Sequence, residues 1–399
     1  QHGGSDERKP EQPHGDGRHG MIIQAELKRK QSEYKGEACA VDKVIELPAQ
    51  RFRQFSRALL VDHDFIAENK SAIRNGKQMT ISAFSDELAQ VRTKKKEFLT
   101  QIERIVLWKE WLALIQPCYY KGERGNKPYP LETMLRLYLL QNLYDLSDEA
   151  TVAETIDSRA FSDFCGVDSS NQVLDGDTLG RFRNLLLKNG LQEKLFAQVV
   201  AMLMERGLIL KKGTIVDSTI ISAPSSTKNK EKKRDPDAHQ VKKGNTWHFG
   251  YKAHIGVDKD SGLVHTVEAT SANVHDVIET SKLLTGEEKV VYGDSGYLGA
   301  GKRDDAIIRN KTGRKIKYKI NRRPSQVKKL SPSGRYAAKK AEHEKFSVRA
   351  KVEHVFGVVK KQLRFRKTRY RGLEKQKAKF NIMFALANLI LADRPCLAA

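Results

Sequence analysis

The order of its segments predicts that this chain of 399 residues is an α/β protein in which a helical region precedes a mixed β-sheet. Up to about residue 208, apolar residues recur every three or four positions, which is typical of amphipathic helices. After Gly207 the segments become rich in β-branched residues, beginning with Gly213 to Ile221. A long basic segment with helical periodicity, Val348 to Phe365, follows the last predicted strand. The strands do not alternate one by one with helices, so the sheet need not be a simple βαβ array.

Several short helices joined by tight turns are predicted in the first half. Pro130 opens an amphipathic helix, as proline often does in a first turn. Asp177 to Lys188 begins on an aspartate of the capping type and carries Arg181 and Arg183. Such helices are compatible with a helix-turn-helix reader of DNA and equally with a plain helical bundle. We predict a helical DNA-binding domain over residues 79–208, with the two arginines as candidate DNA contacts.

Five strands are predicted in the second half of the chain. They are Gly213 to Ile221, His248 to Asp258, Leu263 to Ala269, Glu288 to Gly293 and Ile316 to Ile320. The second and third form a hairpin, and Val274 to Leu284 is predicted to be helical. Residues 225–246, between the first two strands, are too polar for a core and are predicted to form a mobile basic loop that contacts phosphates.

The charge of the chain indicates a polyanionic partner. Lys and Arg number 72 against 49 Asp and Glu, which gives a formal net charge of +23. No apolar run reaches the roughly 18 to 20 residues of a membrane-spanning helix, and the N-terminus lacks the apolar core of a secretory signal. The cysteines have no CxxC spacing, which favours a reducing cytoplasm and argues against a structural zinc site. They are Cys39, Cys118, Cys165 and Cys396.

Three acidic residues are candidates for metal chemistry. Asp217 lies within the first strand, Asp294 directly follows the fourth, and Glu353 lies in the middle of the late helix. If the first and fourth strands are adjacent and parallel, the two aspartates project near one end of the sheet, and a crossing helix can bring the glutamate to them. Mg²⁺ prefers such oxygen ligands. Two ions roughly 3.5–4 Å apart can activate an attacking oxygen and stabilise a leaving oxygen.

Each acidic residue also has a structural interpretation. Asp294 lies in GDSGY, where Asp-Ser-Gly commonly forms a turn. Asp217 can bond neighbouring backbone amides. Glu353 follows Arg349 by four residues and precedes Lys360 by seven, so all three share roughly one side of a helix. An ordinary exposed ion pair there contributes only about 0.2–0.5 kcal/mol.

Four stretches, in this order, resemble the DDE transposases of bacterial insertion sequence family five, within the wider insertion-sequence-four group. They are GTIVDSTIISAPSSTKNK, RDPDAHQVKKGNTWHFGYKAHIGVD, GEEKVVYGDSGYLGA and VRAKVEHVFGVVKKQ. YPLETMLRLYLLQNLYDLSD resembles the helical region of the same family, and the resemblance covers about Met79 to Asp393. It implies a ribonuclease-H-like catalytic domain, here residues 209–395, that cleaves and joins DNA at the ends of an element.

The resemblance also implies roles for individual residues. The three acidic residues become the catalytic triad, which binds two Mg²⁺ ions that Mn²⁺ can replace. Arg349 and Lys360 match the Arg and Lys that flank the glutamate in the group's Tyr-Arg-Glu-Lys pattern. The tyrosine position is Phe346 in this chain, so any phosphate contact through that hydroxyl is lost.

Basic residues around the glutamate are predicted to contact DNA. Between Arg349 and Lys379 there are 12 Lys or Arg and 2 Asp or Glu, too one-sided for internal pairing. We expect DNA contacts from Lys360 and Lys361 as well as Arg349, and from Lys252 in the second strand. Binding to duplex DNA should then weaken steeply with salt, with a slope near −0.9 per phosphate contacted.

The predicted partners are double-stranded terminal inverted repeats and target DNA, with no membrane partner. Because transposition requires paired ends, the resemblance implies a homo-oligomer in the synaptic complex, in the bacterial cytoplasm at the nucleoid. Two alternatives remain open: an inactive transposase-derived regulator that only binds DNA, and a non-specific nuclease of the same fold. Residues 1–78 lie outside the resemblance, and we expect a partly disordered extension, with Met79 beginning the functional unit.

Overall fold

The computed structural model describes residues 92–122, 127–167, 174–228, 230 and 232–393. The chain divides into two units, Gln1–Val91 and Arg92–Ala399, and all the described residues belong to the second. The predictions about residues 1–78, and about Met79 as a starting point, fall outside these described ranges.

Seven α-helices precede the sheet in the described part of the chain, as the helical periodicity predicts. Their bounds are α1 Lys94–Ile105, α2 Trp108–Ile115, α3 Leu131–Tyr144, α4 Asp148–Asp157, α5 Arg159–Cys165, α6 Gly176–Lys188 and α7 Leu191–Glu205. Helix α6 begins before the predicted Asp177, because Asp175 is the cap and its Oδ1 accepts a hydrogen bond from the Thr178 N–H at 2.7 Å.

Six strands, rather than the five predicted, form one mixed sheet. Their bounds are β1 Gly213–Ser222, β2 His239–Lys243, β3 Thr246–Asp258, β4 Val264–Ser271, β5 Val290–Gly293 and β6 Lys317–Ile320. The order is β2-β3-β1-β5-β6, and β4 also pairs with β3. β3 runs antiparallel to β1, β2 and β4, whereas β1, β5 and β6 are parallel to one another.

Two segments differ from the sequence predictions. Strand β2 lies inside the segment predicted as a basic loop, because its backbone pairs with β3 while its polar side chains stay largely exposed on an edge of the sheet. The segment predicted as a helix after β4 instead forms two 3₁₀ turns, Asp276–Glu279 and Ser281–Leu283. Tertiary contacts decide this, because Leu283 is buried under the sheet and Asp276 bonds to β1.

Helix α10, Leu373–Ala392, connects the helical region to the sheet. It packs against both α7 and β4, and 15 of its 20 residues are buried. Asn388 donates to the Val264 carbonyl at 2.7 Å and accepts from its N–H at 2.8 Å. Lys379 donates to Asn142 of α3 at 2.8 Å. The helices and the sheet therefore share one continuous apolar core.

In the described part of the chain, no helix combines the length and the apolar character needed to cross a lipid bilayer. The apolar run near the end of the chain, predicted to be a packed helix, belongs to the buried helix α10.

The remaining helices follow β6. They are α8 Pro324–Lys328 and α9 Pro332–Gly357, which continues into a π-helical turn, Val358–Gln362. Near its end, α9 packs on β1 and β5, and Val352 and Val355 are its fully buried residues. This part of α9 is the helix predicted from the basic periodic segment.

The alternation of side chains along β1 sets the geometry of the site. Ile215 joins the main core, whereas Val216 joins a smaller apolar cluster with Tyr297 on the opposite face of the sheet. Because successive side chains of a strand point to opposite faces, Asp217 lies on the face covered by α9 and Ser218 lies on the other.

Candidate active site

The register of two parallel strands brings Asp217 and Asp294 together. Gly213 pairs with Val290 in an unbroken register, an offset of 290 − 213 = 77 residues. The pairing ends at Ile215 and Tyr292, and each aspartate follows its strand partner by two residues, 294 − 217 = 77, so both lie at the same end of neighbouring strands. The two strands are thus adjacent and parallel, which is the condition on which the approach of the two aspartates depends.

Asp217 is a largely buried carboxylate with one partner for each oxygen. Oδ1 accepts from the Ser218 N–H at 2.8 Å, and Oδ2 accepts from Arg349 Nη2 at 3.4 Å. Burial raises the pKa of Asp217 to about 6, and the charge of Asp294 adds to that rise, while Arg349 and the Ser218 amide oppose it. The ionised form is thus incompletely compensated, and a further cation would stabilise it.

Asp294 combines a turn role with an available oxygen. Its Oδ1 caps the 3₁₀ turn Ser295–Tyr297 by accepting from the Gly296 N–H at 2.8 Å. The turn interpretation from the sequence is therefore confirmed. It does not exclude a ligand role, because Oδ2 has no hydrogen-bond partner among the described residues.

Glu353 is exposed and does not form the ion pair that the helix spacing suggests. Its neighbour Arg349 bonds to Asp217 instead, and Lys360 donates to the backbone carbonyl of Ile220 at 3.0 Å. Glu353 itself has no hydrogen bond or ion pair in the part of the chain that the structure describes, and it lines an open cavity together with Lys361. The surface ion-pair interpretation is therefore wrong.

The three acidic residues are not gathered into one cluster. Among the described residues, no three His, Cys, Asp or Glu side chains lie close enough to hold a metal ion together. The two aspartates lie at the same end of neighbouring strands, and the two cations on either side of Glu353 both reach β1, one at Asp217 and one at Ile220. Glu353 thus lies between two residues that contact β1, Arg349 and Lys360, but its own carboxylate is not clustered with those of the two aspartates.

The donors at the two aspartates fit a hard divalent cation. Carboxylate oxygens are the ligands such ions prefer, and the pair leaves room for water and substrate. Arg349 supplies the positive charge beside Asp217 in this structure, yet its Nε is buried and has no hydrogen-bond partner. A buried donor without a partner is costly, and an oxygen of a bound ligand would be a suitable acceptor for it.

A fourth acidic residue, Asp276, supports β1 from the face opposite α9. Its Oδ1 accepts from Ser218 Oγ at 2.8 Å and from Lys252 Nζ at 3.1 Å, and His254 Nδ1 lies 3.7 Å away. A Cβ added to Gly296 would lie 3.7 Å from Asp276 Oδ2, so the carboxylate also approaches the turn after Asp294. Sequence reasoning did not identify Asp276, because the helix predicted for its segment gave no indication that its side chain contacts β1.

Two buried polar groups lie near Asp276. The Tyr297 hydroxyl has no partner in hydrogen-bonding geometry, although Ser218 lies close by. Burial, with the nearby charges of Asp217, Asp276 and Asp294, raises its pKa well above the usual value. His254 is fully buried, and that burial lowers its pKa to about 4, so it is neutral at physiological pH.

Two residues predicted to contact DNA are engaged inside the protein. Lys252 is buried, where it donates to the Val274 carbonyl at 2.7 Å and pairs with Asp276. Arg183 forms a two-pronged pair with Asp148, with the second bond at 2.9 Å, and it stacks on Tyr370. Both therefore lack the exposure that the prediction assumed.

Arg181 and Lys361 do have the exposure that a DNA contact needs. Arg181 lines an open groove in the helical region together with Lys127 and Tyr120. Lys361 follows Lys360 in the π-helical turn after α9. Among the residues predicted to contact DNA, Arg181 and Lys361 are thus exposed, whereas Lys252 and Arg183 already form hydrogen bonds and ion pairs inside the protein.

Comparison with known families identifies the chain. Residues 209–389 match the family model of the Transposase DDE domain, and residues 86–185 match that of the Transposase domain (DUF772). No solved structure matches the chain at a significant level. The first match covers the sheet with both aspartates and Glu353, and the second covers most of the helical region.

This chain belongs to the DDE transposases of insertion sequences. The mixed sheet with flanking helices is accordingly a ribonuclease-H-like fold, as the resemblance in the sequence implies. The predicted membership of insertion sequence family five in particular stays a prediction.

Proposed function

We propose that this protein binds the ends of its insertion sequence, cleaves the DNA strands there and transfers them into target DNA. The observation that carries the proposal is the shared register of β1 and β5, which sets Asp217 and Asp294 side by side. A backbone N–H holds one oxygen of each carboxylate, so the pair is oriented before any ligand binds.

The two aspartates hold divalent cations, Mg²⁺ or in its place Mn²⁺, and Glu353 completes the ligand set. Two such ions, when bound, activate the attacking oxygen and stabilise the leaving oxygen of the phosphodiester. Glu353 lies one helical turn after Arg349 on the same side of α9, and Arg349 already contacts Asp217. Movement of Arg349 from Asp217 to the DNA would make room for the glutamate.

Arg349 and Lys360 position the DNA backbone. The buried Nε of Arg349, which has no partner, gains one in a phosphate oxygen. Burial lowers the pKa of Lys360, and the neighbouring charges of Lys243 and Arg366 lower it further. A phosphate bound between these cations would relieve their mutual repulsion.

The DNA partners are the terminal inverted repeats and the target duplex, bound by a homo-oligomer that pairs the two ends. Exposed Arg181 and Lys361 are the candidate duplex contacts in the helical region and after α9. The element belongs to insertion sequence family five in this proposal, because four stretches of the sequence resemble that family.

The test is strand cleavage of element-end DNA with Mg²⁺, comparing wild type with Asp294→Asn. The amide keeps an oxygen to cap the turn, so the variant should fold and bind DNA, yet it should lose cleavage because a charged metal ligand is gone. Asp304→Asn, an exposed substitution in the same domain, is the matched control and should cleave normally.

Two results would contradict the proposal. A protein that binds the terminal repeats but cuts nothing, in wild type and variant alike, would be a DNA-binding regulator. Cleavage of any duplex, without preference for the terminal repeats, would make the protein a non-specific nuclease.

A further inference from the structure

Helix α10 carries two lysines whose charges are compensated to different degrees. Lys377 pairs with Glu193 of α7 at 3.2 Å and with Glu268 of β4 at 3.6 Å. Lys379, two residues further along, is only 6% exposed, and among the described residues it forms no salt bridge with a carboxylate. A buried ammonium without a counter-charge is costly, so Lys379 lacks the compensation that Lys377 has.

The neutral groups around Lys379 use only part of its bonding capacity. An ammonium has three N–H donors. One of them donates to Asn142 Oδ1 at 2.8 Å, and the Phe365 ring, with its centroid 5.0 Å from Nζ, interacts with the charge. Within the part of the chain that the structure describes, this ammonium makes no further hydrogen bond. At least one N–H is therefore left for another acceptor.

The charged groups near Lys379 do not supply that acceptor. Asp148 is occupied by Arg183 through two bonds, and Asp145 lies 3.9 Å from Arg369. Burial lowers the pKa of Lys379 to about 8, a shift that the charge of Asp145 opposes and those of Arg183 and Arg369 increase. The ammonium therefore stays charged at neutral pH, in a group of three cations and two carboxylates.

A small cavity adjoins Lys379 among α3, α6 and α10. Its volume is about 20 Å³, which is room for one group of the size of a water molecule or a chloride ion. No Asp or Glu of the described residues lines it. Its wall contains a second lysine and several side chains that can donate a hydrogen bond: Lys375, Tyr138, Asn142, Arg183 and Tyr370.

We propose that this cavity binds a small monovalent anion of the size of chloride, held by the ammonium of Lys379. A water molecule in the same place could accept the remaining N–H, but only an anion also offsets the buried charge. A phosphate group or a carboxylate is too large for the space. The bound anion links α10 to α3 and α6, and so stabilises the packing of the helical region on the helix that contacts the sheet.

The experiment measures the stability of the full chain in urea at constant ionic strength, while sodium chloride replaces sodium gluconate. Gluconate is far larger than the cavity, so it serves as the anion that does not bind. In wild type the equilibrium constant for folding should rise about tenfold for each tenfold increase in chloride above the dissociation constant, as expected for one bound ion. Wild type should also broaden the chloride NMR line.

Three variants locate the bound ion. Lys379→Met keeps a long side chain without the charge, and its folding constant should change by less than about twofold over the same chloride range. Ala378→Val fills the cavity and leaves every charge in place, so it should lose the response as well. Lys377→Met, on the same helix, removes a lysine whose carboxylate partners are already present, and it should respond to chloride as wild type does.

Three results would overturn the inference. Equal stability of wild type in chloride and gluconate, without line broadening, would show that no such ion binds. A chloride response retained by both Lys379→Met and Ala378→Val would place the ion elsewhere. A response lost in Lys377→Met as well would assign the effect to the general positive charge of α10. If Lys379→Met does not fold, wild type, Ala378→Val and Lys377→Met still decide among these results.

Discussion

The two faces of β1 carry polar residues that are satisfied to different degrees. On the face covered by α9, Asp217 has a long bond to Arg349, whose Nε is left without a partner. On the opposite face, Asp276 accepts from both Ser218 and Lys252 at 3.1 Å or less. The carboxylate of Asp217 on the first face therefore has bonding capacity left for ligands, whereas that of Asp276 on the second face is held by two donors, although the neighbouring Tyr297 hydroxyl and His254 Nδ1 have no hydrogen-bond partner among the described residues.

This difference separates ligand binding from positioning. Charged groups whose environment leaves them incompletely compensated are typical of functional sites. The raised pKa of Asp217 is such a case, since burial and Asp294 together outweigh Arg349. Asp276 instead holds Ser218, which follows Asp217 directly on the strand. Substitutions on the two faces should accordingly affect different measurements.

The largest expected effect is on cleavage by Asp217→Asn. Loss of a charged metal ligand should reduce the cleavage rate by about a thousandfold or more, because metal-assisted stabilisation of the transition state is worth several kcal/mol. Gel assays of element-end DNA with saturating Mg²⁺ measure the cleavage rate. The affinity of the variant for DNA, measured in parallel, should equal that of wild type. Ser218→Ala on the other face is the comparison and should cleave within about tenfold of wild type. An equal loss of cleavage rate in both variants would show that the two faces of β1 do not differ in function.

Asp276→Ala should mainly affect stability. It leaves the buried ammonium of Lys252 without its carboxylate, which should lower the free energy of unfolding by about 3 kcal/mol. Urea denaturation followed by circular dichroism measures the change. Asp260→Ala, which removes an exposed partner of Lys259, serves as the control with a change below about 1 kcal/mol. An Asp276→Ala protein of normal stability that cannot cleave would assign Asp276 to the metal ligands instead.

The pH dependence of stability should report Asp217. Its folded pKa of about 6 exceeds the value of 3.8 for the free group, so the folded protein binds more protons between those values and gains stability as the pH falls through them. Above about pH 6 Asp217 is ionised in the folded protein, and its buried charge lowers the free energy of unfolding. Asp217→Asn should therefore be about 2 to 3 kcal/mol more stable than wild type near neutral pH.

That advantage should shrink as the pH falls from about 6 to about 4 and vanish below, where the native carboxyl is neutral in both states. Urea titrations of the metal-free proteins across this range provide the measurement. A constant difference at every pH would show that Asp217 does not carry the buried charge assigned to it.

The smallest expected effect separates exposed from internal cations. Lys361→Ala should weaken duplex binding a few-fold and reduce the salt slope by about one, as loss of a single phosphate contact does. Arg183→Ala should leave the slope unchanged and lower thermal stability, because Asp148 loses its partner. Fluorescence anisotropy over a salt series distinguishes the two. A reduced salt slope for Arg183→Ala would show that Arg183 contacts DNA after all, as the sequence predicts.

Local patterns predicted much of the fold. The helical region, five of the six strands and the basic helix after them could be located from periodicity and β-branched content, and the chain indeed forms elements there. Strand β2 and the 3₁₀ turns could not be located in this way. An edge strand of polar residues lacks apolar alternation, and the turns after β4 follow from packing against the sheet.

What the sequence determined by itself is the interval of 77 residues between Asp217 and Asp294, and the helical spacing of Arg349 and Glu353 on one side of α9. The pairing of β1 with β5 at the same interval is a property of the tertiary structure. Only the tertiary structure decided which partners these residues take. Helical spacing would allow Arg349 to pair with Glu353, but the fold of the sheet brings Asp217 within reach of Arg349. Burial makes the Arg349–Asp217 pair stronger than an exposed pair with Glu353 would be. Local spacing limits which residues can meet, whereas burial and competition among distant partners select the contacts that form.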